Sequence, residues 1–299
     1  MSLAESTATA QSPDYSAPVL DSILLATDFT EGSLTAFHHA LKAALISKCV
    51  LTVLHVADGG PAGWTEFPGV RETLERWRLL PPNSPKSAVP ELGIDVRKTM
   101  ARDRHPVKAV LKYMETHPAN LIVLASHTHE GRATWLRESV AEPVSRRAGQ
   151  MTLFIPDGSR GFVSAETGEV SLNRILIPIA SKPAAGPALA AAARLAMRLE
   201  RERGTFVLLF VGDESQRPVL KPIDVPGWQW QAVNRKGDVI EGILEEAKKE
   251  RTDLIVMSTD GRNGFLDALR GSHSERVLRG APCPVLTVPE GSLAGGALA

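Results

Sequence analysis

The sequence predicts an α/β protein of two tandem, doubly wound domains, each built on a five-stranded parallel sheet. Three observations lead there. Short apolar runs alternate with helical stripes along all 299 residues, a length that suits one large domain or two of about 150. Runs such as VLTVLHV and FVLLFV are apolar on both faces, as strands covered by helices on both sides must be. The second half also repeats the first. Residues 121–156 align without gaps on residues 254–289 at an offset of 133, matching Ile122 with Ile255, Gly131 with Gly264, Arg137 with Arg270, Ser139 with Ser272 and Pro156 with Pro289. ILLATD from Ile23 and ILIPIA from Ile175 align at an offset of 152, so the first copy is longer in its middle by about twenty residues.

Strands are expected over 22–28, 50–57, 94–101, 121–127 and 152–156 in the first copy, and over 174–180, 205–211, 228–234, 254–259 and 285–289 in the second. Between them Leu34, Phe37, Leu41 and Leu45 form one helical stripe, and Val107, Val110, Leu111 and Met114 another. Leu189, Ala192, Ala196 and Leu199, then Ile240, Ile243, Leu244 and Ala247, repeat the pattern. Asp238 followed by Glu241 reads as a capped helix start. This alternation implies right-handed crossovers and a parallel sheet. Pro178 conflicts with an internal strand, though its place near the end of the run makes it tolerable. A helix suggested over 72–80 has no counterpart in the second copy, where 212–227 is too short for one. The expected organisation is a flexible tail over 1–20, a first domain over 21–157, a polar linker over 158–172, a second domain over 173–290 and a loose end over 291–299.

Composition excludes several classes. Lys+Arg and Asp+Glu both number 34, which argues against a nucleic-acid footprint or a polybasic membrane patch. No apolar run reaches the length of a membrane span. The first twenty residues lack a basic leader and an apolar core, so no signal peptide is read there. Two unpatterned cysteines, Cys49 and Cys283, fit a reducing compartment, and a cytoplasmic location is expected.

The stretch VMSTDGRNGFLDALRGSHSERVLRGAPCPVLTVP over 256–289, with ILLATDFTEGS from Ile23, resembles the signature of universal stress proteins. The resemblance implies an adenine nucleotide α-hydrolase-like fold. It also implies, for members with a G-x2-G-x9-G-[ST] loop, ATP binding with magnesium as a companion ion. Glycines let backbone amides approach phosphate oxygens, and a helix N-terminus behind them favours negative charge. Carried over residue by residue, Gly261, Gly271 and Ser272 keep the spacing, Ser258 replaces the first glycine, and Met257 matches a position flanking the adenine. Arg262 faces either phosphate or solvent. Ala180 stands where the family places an aspartate.

The first copy departs the other way. Asp28 is present, but Ala125, Thr128 and Glu138 occupy the glycine positions. A carboxylate about 4 Å from a phosphate charge costs roughly 4 kcal/mol at an effective dielectric near 20, which is about a thousandfold in affinity. The first site is therefore not expected to bind ATP, and Asp28 reads as a cap on its own turn.

His127 and His129 form an H-x-H on a loop, and His38 and His39 sit on a helix pointing apart; without further ligands at a telling distance no metal site is assigned. No catalytic residue is assigned either: no Walker lysine follows the glycines, leaving at most a weak ATPase. Trp228 and Trp230 alternate on one strand face and cover either a partner or a local core; Trp64 and Trp77 are candidates to pad the absent first ligand space. Two readings result. One is a stress-response binding and signalling protein with a nucleotide-sensing second copy; the other is a nucleotide-independent scaffold for a protein or small apolar ligand. The resemblance further implies that strands 152–156 and 285–289 lie side by side, so that one chain imitates a homodimer, with further dimerisation open.

Overall fold

A computed structural model describes residues 20–57, 67–103, 105–126, 141–159, 161–199, 203–259 and 273–290. The expectations for Trp64, His127, Thr128, His129, Glu138 and the terminal tails outside these ranges lie beyond the described residues. The first half runs β1 (Ser22–Thr27), α1 (Glu31–Ser47), β2 (Val50–Ala57), α2 (Val70–Arg76), β3 (Asp95–Arg102), α3 (Pro106–Thr116), β4 (Leu121–Ser126), α4 (Ala141–Ala148) and β5 (Met151–Pro156). The second runs β6 (Arg174–Ile179), α5 (Gly186–Arg198), β7 (Gly204–Val211), β8 (Trp228–Arg235), α6 (Val239–Lys249), β9 (Leu254–Thr259), α7 (His273–Gly280) and β10 (Val285–Pro289).

All ten strands join one sheet in the order β3-β2-β1-β4-β5-β10-β9-β6-β7-β8. Within each half every pairing is parallel. The winding reverses between β1 and β4 and again between β6 and β9, which makes these the two topological switch points. The halves meet where β5 and β10 run antiparallel: Leu153 pairs with Leu286, flanked by Thr152 with Thr287 and Phe154 with Val285. Leu153 and Leu286 are equivalent at the offset of 133, so the seam is centred on a local twofold. Its geometry is that of a symmetric dimer interface within one chain.

Two apolar layers cover the sheet, and each runs through both halves. Phe37, Leu41, Leu45, Leu189, Ala192 and Ala196 of α1 and α5 bury against one face; Val110, Val144, Ile240, Ile243 and Val277 bury against the other. The α1 stripe is narrower than its spacing suggests, since Leu34 is 43% exposed. The helix suggested over 72–80 begins earlier and closes at Arg76. Asp238 caps α6 as expected, accepting from the amides of Ile240 and Glu241. Trp228 and Trp230 both stack on Phe206, with ring centroids 4.5 and 4.3 Å away, and so cover a local core.

The connection between the halves differs from its polar reading. Phe162, Val163 and Leu172 are buried, and Val163 bridges Val170. The Phe162 amide donates to His39 Nε2 at 3.0 Å. Gly161, at φ +65, passes so close that a Cβ there would sit 2.4 Å from the His39 ring. Trp77 donates to the Ala165 carbonyl at 3.0 Å and lies beside His38 and Gly168. It therefore packs under the linker, not in the ligand space it was expected to pad.

A polar latch repeats in both halves. Asn120 Oδ1 accepts from the amides of Asp21 and Ser22 at 2.8 and 3.0 Å. Asp253 Oδ2, its equivalent at the offset of 133, accepts from Asn173 and Arg174 at the same two distances. Each fixes the start of the central strand of its half. Asp253→Ala leaves two inward amides without an acceptor, and is expected to lower unfolding stability by about 1–3 kcal/mol in urea denaturation.

Candidate functional site

Ligand crevices in a doubly wound sheet lie beyond the carboxyl ends of the strands at the switch point. The two crevices of this chain are built differently. At the first, β1 and β4 pair from Ile23 to Ala26. Asp28 Oδ1 accepts from the Thr30 amide at 3.1 Å, the Thr30 hydroxyl at 2.6 Å and the Ser33 hydroxyl. Thr30 in turn caps α1 through the Ser33 amide. Asp28 thus holds the turn between β1 and α1. Phe29 adopts φ +64, an uncommon region for a bulky residue. Its ring stacks on His55 with centroids 4.0 Å apart and meets Phe67 edge-on at 5.0 Å. His55 Nδ1 bonds to the Thr27 carbonyl at 2.9 Å; a carbonyl only accepts, so that nitrogen carries the proton. Three aromatic rings fill the end of β1 and its neighbour β2.

Among the described residues the second crevice has no such stack at its central strand. Pairing between β6 and β9 stops after Ile175 with Leu254 and Leu176 with Ile255. Thr205 N donates to the Asn173 carbonyl and Asp253 N to the Arg174 carbonyl. Alternate residues of β6 therefore address β7 and β9, which puts Pro178 on the β9 side with residues 174 and 176. The proline has no N–H to donate there, and the ladder ends where it stands. Proline is tolerated inside this strand because it sits at the switch point.

Helix α5 has no side-chain cap of its own at Ala185. The cap comes from distant strands. Ser258 Oγ accepts from the Ala188 amide at 3.2 Å in a buried contact. Glu290 Oε1 accepts from the Ala184 amide at 2.7 Å, while the Glu290 amide donates to the Thr259 carbonyl at 2.8 Å. The equivalent of Ser258 in the first copy is Ala125, which has no hydroxyl, and there the cap is local. Of the residues named from the sequence, Met257 and Ser258 stand at the end of β9 on opposite faces. Met257 packs into the apolar layer with α6 and α7, and Ser258 turns to α5. Gly261, Arg262, Gly271 and Ser272 lie outside the described residues. Glu290 was not singled out from the sequence, and nothing near it in the chain signals a partner 106 residues away.

The helical histidines each have protein partners. His39 Nδ1 bonds to the Thr35 carbonyl at 2.8 Å and Nε2 receives the Phe162 amide, so the ring is neutral with its proton on Nδ1. His38 Nε2 lies 3.2 Å from Arg76. Burial pushes both imidazoles down to about 4, with the Arg76 charge adding to the effect at His38 and the His38 charge at His39, where the Thr35 bond opposes it. Among the described residues no three His, Cys, Asp or Glu side chains gather as a metal-binding group. Burial, with Asp253 nearby, pushes the Cys283 thiol up to about 12, so no thiolate is available at neutral pH.

Known proteins resemble this arrangement. Residues 20–156 and 226–289, more than half of the chain, match the Universal stress protein family. A universal stress protein of Methanocaldococcus jannaschii is 39% identical over 80 residues, covering 25% of this chain and 46% of its own length. One from Thermus aquaticus is 45% identical over 53 residues, covering 18% and 39%. The chain thus spans less than half the length of the curated relatives it matches. The crystal structure of a universal stress protein from Archaeoglobus fulgidus superposes over 91% of this chain and 99% of its own, with a TM-score of 0.60 and 19% identity. That of a putative universal stress protein from Pseudomonas aeruginosa covers 92% and 95%, with a TM-score of 0.59 and 15% identity.

Two outcomes follow from the geometry. Ser258→Ala removes the cap from the Ala188 amide and is expected to cost about 1 kcal/mol in chemical denaturation. His38 and His39 have folded values near 4, below the ordinary 6.5, so between these limits the unfolded chain binds protons that the folded chain refuses. Stability is complete above pH 6.5 and falls as pH drops toward 4. Thermal melts across that window should show the slope, and His39→Gln, whose amide oxygen can still accept from Phe162, should remove about half of it.

Proposed function

The chain belongs to the universal stress protein family, with its doubly wound, adenine nucleotide α-hydrolase-like fold, and we propose that it is a non-catalytic binding and signalling protein of a stress response. Its second half is an adenine-nucleotide sensor and its first half a structural partner. The observation that carries this reading is the difference between the two switch points. The first is paired to Ala26, Phe29, His55 and Phe67 crowd the end of its central strand on the β2 side, and its aspartate is engaged in its own turn. At the second, pairing ends at Leu176, and the following loop keeps Gly261, Gly271 and Ser272 in the spacing that suits a phosphate cradle.

The start of α5 is not the phosphate site. The Ala188 amide is bonded to Ser258 and the Ala184 amide, just before the helix, to Glu290, and a carboxylate there repels an anion. Phosphates would be held by backbone amides of residues 261–272, with Arg262 beside them, and a magnesium ion would travel with the nucleotide. Met257 contributes to the wall of the adenosine site only through its backbone, since its side chain belongs to the core. Turnover is not part of the proposal.

A second reading is favoured by two observations. Ala180 replaces the carboxylate that would bind the nucleoside, and Glu290 brings a negative charge to the rim. Both suit a scaffold that holds a protein or apolar ligand without nucleotide. Calorimetric titration of ATP with magnesium separates the two. The sensor reading expects one site per chain, weakened about a thousandfold by Gly271→Glu through like-charge repulsion. An absence of heat at millimolar ATP, with no adenine nucleotide released on denaturing fresh protein, leaves the scaffold.

A further inference from the structure

A cavity of about 130 Å³ opens between α1 and α5, on the face of the sheet where both helices lie. Equivalent residues of the two copies line it: Leu121 with Leu254 and Leu153 with Leu286 at the offset of 133, and Ala43 with Leu195 at the offset of 152. The chamber therefore lies on the local twofold that centres the β5–β10 seam, and neither half forms it alone. Each half contributes the amino end of a strand, Leu121 of β4 or Leu254 of β9. The switch-point crevices lie beyond the carboxyl ends.

What the chamber can hold follows from its walls, which are almost wholly apolar. Polar side chains at its margin are engaged elsewhere. His39 spends both ring nitrogens, on the Thr35 carbonyl and the Phe162 amide. The Glu169 charge acts on Lys42, and Arg194 and Arg198 have partners of their own. What these long side chains bring to the wall is their aliphatic stems. Water in such a space lacks the polar partners that would hold it. Ile46, Leu195 and Leu199 are only half-buried, so an occupant would take further apolar surface out of water. An apolar cavity of about 150 Å³ takes up benzene. A chamber near that size suits one six-membered ring and excludes a nucleotide or a long acyl chain.

We propose that this chamber is a binding site for a small neutral hydrophobic molecule the size of a single ring, held by apolar contact alone between α1 and α5 over Leu153 and Leu286. The site is separate from both switch-point crevices and stands whichever ligand those take. Because both halves and the linker residues Phe162 and Val170 form its walls, an occupant there ties the two halves together.

Fluorobenzene is the probe, titrated into the full-length protein and followed by fluorine magnetic resonance, with 4-fluorobenzoate as the charged control. A saturable shift with one site per chain is expected. The benzoate should bind about tenfold or more weakly, because its carboxylate gives up water without gaining a partner. Ala43→Leu gives α1 the residue that α5 carries at the equivalent position. It fills the chamber and should abolish binding while far-ultraviolet circular dichroism stays native. Should that variant fail to fold, Leu195→Ala widens the chamber instead, and is expected to shift the preference from fluorobenzene toward 1-fluoronaphthalene. Millimolar ATP with magnesium should leave fluorobenzene bound, which separates this site from the nucleotide site. Fluorobenzene that does not saturate, binds no better than the benzoate, binds equally to the folded Ala43→Leu protein, keeps its preference in Leu195→Ala or is displaced by ATP would overturn the assignment.

Discussion

Three residue pairs join the halves through backbone hydrogen bonds: Thr152 with Thr287, Leu153 with Leu286, and Phe154 with Val285. Two short parallel sheets become one sheet of ten strands at this ladder, and both apolar layers cross it without interruption. The side chains on it are almost wholly buried. In a water-poor setting an unpaired amide or carbonyl is costly, so each half needs the other to satisfy the inner edge of its last strand. The Thr287 hydroxyl, directed at the Thr152 carbonyl at 3.4 Å, adds a polar contact in the middle of the seam. The placement of α1 and α5 on one face of the sheet follows from this register.

With that frame shared, duplication let the two crevices diverge without disturbing the fold. The means is an exchange of caps. In the first half the α1 turn is self-sufficient, because Asp28, Thr30 and Ser33 bond one another. In the second, Ala180 and Ala185 provide nothing, and Ser258 and Glu290 reach in from β9 and from the end of β10. A cap drawn from a distant strand ties the beginning of α5 to the far side of its own switch point. A local cap leaves β4 free of that duty, and Ala125 occupies the position that Ser258 fills in the other copy. The two halves solve one hydrogen-bonding problem by different routes.

The strands were legible to within about two residues because fully buried parallel strands are short, continuous apolar runs with no solvent face to blur them. The α1 stripe was less so: Leu34 fits the period but faces outward, since a spacing rule cannot tell where the sheet ends above the helix. The linker misled for a related reason. Phe162, Val163 and Leu172 are set among polar residues, and their burial depends on a chain reversal and on His39 receiving the Phe162 amide. Ser258 was read against a glycine pattern, yet its bond goes to an amide 70 residues earlier. Contacts of that reach leave no periodicity or local spacing behind them. The exchange between Ala125 and Ser258 was visible in the aligned copies, but its meaning was not.

In a free single-copy protein of this architecture, the last strand would present an open edge to any matching chain. Here that edge is occupied internally, and the outward margins of the sheet are β3 and β8. Their sequences, DVRKTMAR and WQWQAVNR, are studded with charge and amide groups, a composition that discourages strand-to-strand growth. Fusion of two copies has therefore converted an adhesive border into an interior one and left the sheet with edges ill suited to pairing.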